Sequence, residues 1–209
     1  MHDIPDIKPR WAEDLPETPK WISHGERVLI DTPWMTVTRH PATAPTGAPA
    51  DYVAMRPKNV GTGVLPLHDD GTVTLVGQHR FTLMRYSWEM PEGGAPMDED
   101  PFDAVRRELA EEAGLAAEHW RAALDMDLSN SITDERAMTW VAWGLSAVPV
   151  DPDPTEVIVS VRAPFRELLR EIERGAVRDS LTVATAYKAY HMAREGELPA
   201  ALAQAMLGA

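Results

Sequence analysis

Short runs of β-prone residues fill the first part of the chain, and a helical period takes over near residue 101. Arg27 to Ile30, Trp34 to Arg39 and Tyr52 to Met55 are short stretches rich in branched and aromatic residues. Pro41 to Pro49 is a turn-rich connection between two of them. Val60 to Leu67 and Thr72 to Val76 flank His68-Asp69-Asp70-Gly71, whose Asp-Gly pair signals a hairpin. Gln78-His79-Arg80 then leads into a loop that ends at Trp88-Glu89-Met90-Pro91.

From Pro101 to Ala113 the apolar residues Phe102, Val105, Leu109 and Ala113 recur at helical spacing, so one face of a helix is expected to meet the core. Asp100 suits its N-cap, Pro101 its first turn and Gly114 its end. Met138 to Val148 and Glu156 to Val161 read as strands. Pro164 to Arg174 and Ser180 to Glu195 read as helices, the first stopped by Gly175 and the second capped by Asp179 or Ser180. Strands interleaved with helices predict a mixed α/β sandwich. Residues 1–24, with Pro5, Pro9, Pro16 and Pro19, read as a proline-rich arm. Its Trp11 and Trp21 are expected to dock on their own domain or on a partner subunit. Residues 25–59 form an N-terminal group of strands, 60–196 the main domain and 197–209 a C-terminal tail.

Composition narrows the function. Of 209 residues, 44% are hydrophobic, enough for a large core, and no apolar run reaches membrane-spanning length. No secretory leader is recognisable at the N-terminus. Cysteine is absent, which excludes thiolate metal sites and suits a reducing cytoplasm. The formal net charge of −13 argues against nonspecific nucleic-acid binding, which rests on Lys and Arg at phosphates. A small anionic ligand is still possible where bound metal and a few arginines invert the local field. The histidines form no ligand-spaced pair, and neither a Gly-x-Ser-x-Gly elbow nor a P-loop is present.

The chemistry concentrates between Gly93 and Leu115. This stretch reads Gly93-x5-Glu99-x7-Arg107-Glu108-Leu109-x-Glu111-Glu112-x-Gly114-Leu115. Such a string arises by chance on the order of once per billion starting positions, so it counts for more than any single motif residue. Glu108, Glu111 and Glu112 fall at i, i+3 and i+4 and converge on one patch of the helix. Clustered carboxylates repel one another, and a divalent cation turns that repulsion into coordination. Arg107 projects roughly 100° from Glu108 around the helix and is placed to pair with Glu99 or Glu111. Gly93 and Gly94 allow the preceding backbone to approach metal or phosphate closely.

At all nine defined positions the string resembles the signature of the Nudix hydrolases, which cleave a nucleoside diphosphate linked to another moiety. The resemblance implies a Nudix-type α/β/α sandwich with a mixed sheet and an N-terminal β-rich extension. It also implies Mg²⁺ or Mn²⁺, and attack of water on a phosphorus of the diphosphate. Glu108 and Glu112 would be the principal metal ligands, with Glu111 and the main-chain carbonyl of Glu92 adding to them. Arg107 and Glu99 would orient the carboxylates.

Outside the string, Val73 to Arg80, the Trp88 to Gly93 approach and Thr133-Asp134-Glu135 look like the branch that hydrolyses ADP-ribose and nucleotide sugars. That likeness implies Arg80, Glu89 and Asn130 at the substrate, and Glu135 as the base that activates water. Asn130 and Ser131 stand where ADP-ribose hydrolases carry Pro and Gly, which weakens the expectation of ADP-ribose itself. The expected activity is therefore cleavage of a nucleoside diphosphate sugar to a nucleoside monophosphate and a sugar phosphate. ADP-ribose, a dinucleotide or a nucleoside triphosphate remain as other substrates, and a non-cleaving nucleotide sensor as another class. Trp21 or Trp34 could stack on a base, although packing in the core or at a subunit contact is the commoner use of such rings. The resemblance further implies a homodimer, with the N-terminal arm and first strands contributing to the contact, and a small nucleoside diphosphate derivative as partner; the expected location is the cytoplasm.

Overall fold

The computed structural model describes residues 7–150 and 157–208. Its first four strands are β1 (Ile22–Ser23), β2 (Arg27–Asp31), β3 (Met35–Thr43) and β4 (Pro49–Pro57), and together they form an antiparallel sheet. β4 pairs along the whole of β3, from Met35↔Pro57 to Thr43↔Pro49, so β1 and β2 share the other edge of β3. The turn between β3 and β4 is tighter than the proline spacing predicts. β3 runs on through Pro41, and Gly47 turns the chain at φ 85°.

β5 (Asn59–Pro66), β6 (Thr72–Arg80), β7 (Arg85–Glu89), β8 (Glu92–Pro96), β9 (Leu115–Asp127), β10 (Arg136–Ala147) and β11 (Val159–Pro164) make two further sheets. One has the order β8-β5-β10-β9, with β5 and β10 parallel and the other pairs antiparallel. The other has the order β11-β6-β7 and is antiparallel throughout.

The helices α1 (Pro101–Ala113), α2 (Phe165–Glu173), α3 (Ser180–Arg194) and α4 (Ala200–Leu207) lie on opposite sides of the β8-β5-β10-β9 sheet. Side chains alternate across a strand, so neighbours in β5 and β10 serve different layers. Val64, Trp140 and Ala142 pack with Val105 and Leu109 of α1. Leu65 and Val141 join Phe165, Leu168, Met192 and Met206 on the other face. Both faces of the central strands are covered, which explains their near-continuous apolar sequence. The result is the expected α/β/α sandwich with an N-terminal β-rich extension.

The predicted α1 is matched at both ends. Asp100 Oδ1 accepts from Phe102 N at 2.8 Å, and Gly114 ends the helix at φ 62°. Elsewhere the structure corrects the sequence reading. The stretch after Arg80 is not a plain loop. A single 3-10 turn returns the chain as β7, and Gly93 and Gly94 lie in β8, paired with Thr62 and Gly61. β9 is absent from the sequence reading because its Ala-rich segment has no two-residue period and is half exposed. Its pairing with β10 overrides local propensity. β11 starts at Val159, later than the predicted strand, and Glu156 lies outside the described residues. The last residues, read as a tail, include α4, with Leu202, Ala203 and Met206 buried in the main core.

Of the arm, residues 1–6 lie outside the described residues. Trp11 is 87% exposed, while Trp21 meets Tyr52 edge-on with ring centroids 5.3 Å apart. Trp34 is 73% exposed, so it does not pack in the core of its own chain.

Candidate active site

α1 sets its carboxylates against β8. Because Val105 and Leu109 are buried, the adjacent stripe of Glu108, Glu111 and Glu112 faces the edge where Glu92 and Gly93 run. At Gly93 the fit leaves no room for a side chain. A Cβ there would stand 2.2 Å from the carboxyl carbon of Glu108. The glycine is therefore required so that the Glu108 carboxylate can lie over the strand. Thr62 Oγ1 holds the same segment by donating to Gly93 O at 3.3 Å.

Arg107 ties the group together. Its guanidinium donates to Glu108 Oε1 at 2.8 Å, Glu111 Oε2 at 3.0 Å and Glu99 Oε2 at 3.4 Å. The predicted pairs with Glu99 and Glu111 are both present. The bond to Glu108 was not foreseen from the angle between the two residues, because a long arginine reaches around the helix. Partial burial works against the Arg107 charge, but the charge of Glu108 and the hydrogen bonds from Glu99, Glu108 and Glu111 outweigh it, and the guanidinium pKa rises. Glu112, 8% exposed, accepts from Glu92 N at 3.0 Å.

A second ionic group lies beside the first. Arg80 Nε donates to both oxygens of Glu89, at 3.1 and 3.0 Å, and its Nη2 reaches Glu92 Oε1 at 3.3 Å. Glu89 is 3% exposed. Burial of Arg80 opposes its charge, and the hydrogen bonds and charge of Glu89, followed by the charges of Glu92 and Glu112, more than offset it. Arg80 is thus held in place by the carboxylates of Glu89 and Glu92. Burial, above all, pushes the Glu92 carboxyl well above the usual range, and the charges of Asp179 and Glu89 push it further, against Arg80.

Asp179 was read from sequence only as a helix cap. It does cap α3, accepting from Thr182 N at 2.8 Å. It also belongs to the site: carboxylate oxygens of Glu89, Glu92 and Asp179 lie within 4.8 Å of one another. Thr182, fully buried, accepts from Met90 N at 2.9 Å and fastens α3 to the strand approach. No local signal marks these contacts, since α3 follows the acidic string by some sixty residues.

Two guanidinium groups thus face seven carboxyl groups, those of Glu89, Glu92, Glu99, Glu108, Glu111, Glu112 and Asp179. An all-oxygen donor set with excess negative charge fits a hard divalent cation such as Mg²⁺ or Mn²⁺. The Glu89, Glu92 and Asp179 group overlaps the expected ligand set at one residue. Of Glu92, Glu108, Glu111 and Glu112, only Glu92 belongs to it, through its side chain rather than its main chain. The bond from Glu92 N to Glu112 joins the two groups.

Asn130 and Glu135 lie on the loop between β9 and β10. Among the described residues, neither side chain forms a hydrogen bond or ion pair with the α1 carboxylates. The loop is closed at its base by Leu128 N donating to Glu135 O at 2.8 Å, and Glu135 N donates to Thr133 Oγ1 at 3.0 Å.

Comparison with known proteins agrees with this geometry. The NUDIX domain model matches residues 57–183, more than half of the chain, and the chain belongs to the Nudix hydrolase family. It is 31% identical over 124 residues to the ADP-ribose pyrophosphatase of Mycobacterium tuberculosis, a match covering 58% of this chain and 60% of that protein. It is 25% identical over 157 residues to a CMP-5'-(N-acetyl-N-hydroxy-3-aminopropyl)phosphonate hydrolase of Streptomyces rubellomurinus, covering 75% of each. An RNA pyrophosphohydrolase of Caulobacter vibrioides is 42% identical, over 67 residues that make up 32% of this chain and 37% of that protein. Among solved structures, a crystal structure of an ADP compounds hydrolase superposes with a TM-score of 0.76, covering 88% of this chain and all of that one. At 19% identity, that likeness bears on the fold alone. No helix among the described residues is long and apolar enough to cross a membrane.

Proposed function

We propose that this chain hydrolyses the diphosphate bond of a nucleoside diphosphate linked to a sugar, releasing a nucleoside monophosphate and a sugar phosphate. The observation that carries the reading is the complete acidic string, folded so that Glu108 lies over Gly93 and Glu112 is joined to Glu92. Glu108 and Glu112, assisted by Glu111 and the Glu92 carbonyl, would hold Mg²⁺ or Mn²⁺. The ion neutralises charge on the diphosphate when bound. Arg107 and Glu99 keep the carboxylates in place. Arg80, held by Glu89, presents positive charge at the diphosphate, and Asn130 contacts the rest of the substrate. Glu135 takes a proton from the attacking water onto a carboxylate oxygen. The phosphorus–oxygen bond of the bridge breaks in line with that attack, and the leaving phosphate departs.

Two relatives support a nucleotide-linked substrate, since both carry names that describe such compounds. The first of them keeps ADP-ribose as a second reading of the substrate. A panel of nucleotide sugars, ADP-ribose, dinucleotides and nucleoside triphosphates, assayed with Mg²⁺ and Mn²⁺, tests the proposal. Release of a nucleoside monophosphate with a sugar phosphate is expected. Tight binding without cleavage at either ion would instead make the chain a sensor.

The chain acts as a homodimer in this reading. All five residues of β2 are exposed, and Val28, Leu29 and Ile30 lie there close to the exposed Trp34. Molar mass in solution, measured with and without residues 1–24, tests both the dimer and the part played by the arm.

A further inference from the structure

The loop between β9 and β10 is anchored twice, by different parts of the chain. Its base is closed within the family domain, by Leu128 N to Glu135 O at 2.8 Å and by Arg136 Nε to Asp125 Oδ1 at 2.7 Å. Its tip is held from outside that domain, by β4. Met55 N donates to Ile132 O at 2.9 Å, and Met55 and Thr133 form an isolated parallel bridge. The Tyr52 hydroxyl donates to Ser131 O, and Arg56 Nε lies 3.7 Å from Asp134 Oδ2. Trp21 buttresses the Tyr52 ring, and Arg56 also pairs with Glu26 at 3.2 Å. The family match starts at residue 57, just after these contacts.

The loop needs such support. Ser129 adopts φ 47°, in the left-handed region that disfavours any residue with a Cβ. A non-glycine residue persists there when its surroundings fix the backbone, at a cost on the order of 1 kcal/mol. Ile132 N and Thr133 N both turn back to Ser129 O, at 2.9 and 3.2 Å, while Ile132 is 58% exposed. The tip therefore has little hydrophobic anchorage of its own. The Arg56–Asp134 pair is solvent-exposed and adds little alone. The Tyr52 hydroxyl and the Met55 bridge are the substantive tethers.

We propose that Tyr52, with Arg56, is a positioning residue for substrate recognition: the N-terminal sheet sets the Asn130–Asp134 tip, while the base of the loop sets Glu135 separately. This rests on the reading that the loop faces the substrate. Two anchors predict two kinetic signatures. Loosening the tip moves Asn130 and raises KM, with kcat nearly unchanged, because Glu135 keeps its own closure.

The test compares Tyr52→Phe, Arg56→Met and their combination with Asn130→Ala, on the full chain and the best substrate of the panel. Tyr52→Phe keeps the ring on Trp21, so the sheet is expected to remain folded. The combined variant is expected to raise KM about five- to tenfold with kcat within twofold, and to relax the preference among nucleotide sugars. Hydrogen exchange at the Ile132 and Thr133 amides is expected to quicken. Arg56→Lys restores part of the effect of Arg56→Met. If Asn130→Ala raises KM while the β4 variants leave it unchanged, the tether is overturned and the loop keeps its role. If Asn130→Ala has no effect on KM, the substrate-facing reading of the loop fails, and the inference fails with it. Faster exchange with unchanged KM overturns the recognition role alone.

Discussion

The α1–β8 junction and the β9–β10 loop are assembled by opposite means. At the junction, one helix carries Arg107, Glu108, Glu111 and Glu112 within six residues, and the neighbouring strand supplies Gly93 and Glu92. Its contacts are charge-assisted and partly buried. At the loop, an exposed Asn130 and a half-buried Glu135 sit on chain held largely by main-chain hydrogen bonds, with β4 reaching across from the N-terminal sheet. Charge-assisted bonds are about twice as strong as neutral ones, and a helix fixes its side chains rigidly. The junction therefore holds its carboxylates in one fixed arrangement. Under the proposed function, the tip of the loop can change without disturbing that arrangement, which suits the selection of a substrate.

The comparison is broken most sharply at Glu112. Glu112→Gln removes a carboxylate yet keeps a side chain that can accept from Glu92 N, so the fold is expected to survive. Turnover is expected to fall at least about a hundredfold, the scale of losing a preorganised electrostatic group. Near-normal activity with Mg²⁺ would remove Glu112 from the ligand set. Gly93→Ala comes next. Its Cβ would displace the Glu108 carboxylate, the far end of a flexible side chain, so stability changes little. A loss of roughly ten- to a hundredfold in activity is expected, with weakened metal dependence. If melting temperature collapses while the residual activity per folded molecule is normal, Gly93 matters for packing alone.

Thr182 joins the two sides of the sandwich at the site. Thr182→Val keeps the volume but leaves Met90 N buried without its acceptor, at a cost of about 1–3 kcal/mol. Thr182→Ser is expected to recover most of that stability. Chemical denaturation measures both. Equal stability of the Val and Ser variants would show that the hydroxyl is not what fastens α3 to the junction.

The difference between the two regions also decides what could be read without coordinates. The helix, its caps and its carboxylate stripe depend on spacing within one segment, and Pro101–Ala113 followed from local pattern alone. The partners of that stripe did not. Asp179 and Thr182 reach the site because α3 packs across the sheet, and a capping Asp carries no sign of that second contact. Arg80 could be named from resemblance, but its carboxylate partner could not, since only the returning strand β7 places Glu89 against it. β9 was missed because its Ala-rich sequence becomes a strand only through pairing with β10. For the loop, Asn130 and Glu135 could be named from resemblance, whereas the grip of Tyr52 across 79 positions could not.

The smallest effect is expected at the base of the loop, and it sharpens the distinction from the tip. The Arg136 hydrogen bond holds the Asp125 carboxyl below its ordinary 3.8, against the opposing effect of burial and with help from the Arg136 charge. An acid whose folded value is depressed adds stability above its unfolded pKa and loses it as pH falls through the folded one. Asp125→Asn is therefore expected to lower stability slightly at pH 7, by no more than about 0.5 kcal/mol for so exposed a pair. Its difference from the parent chain closes as pH drops below 3.8. Since this pair flanks Glu135 rather than Asn130, the kinetic change is expected in kcat, less than about threefold, with KM held. A rise in KM like that of the Tyr52 variant would mean that base and tip move as one body, and that the loop is a single element rather than two separately anchored parts.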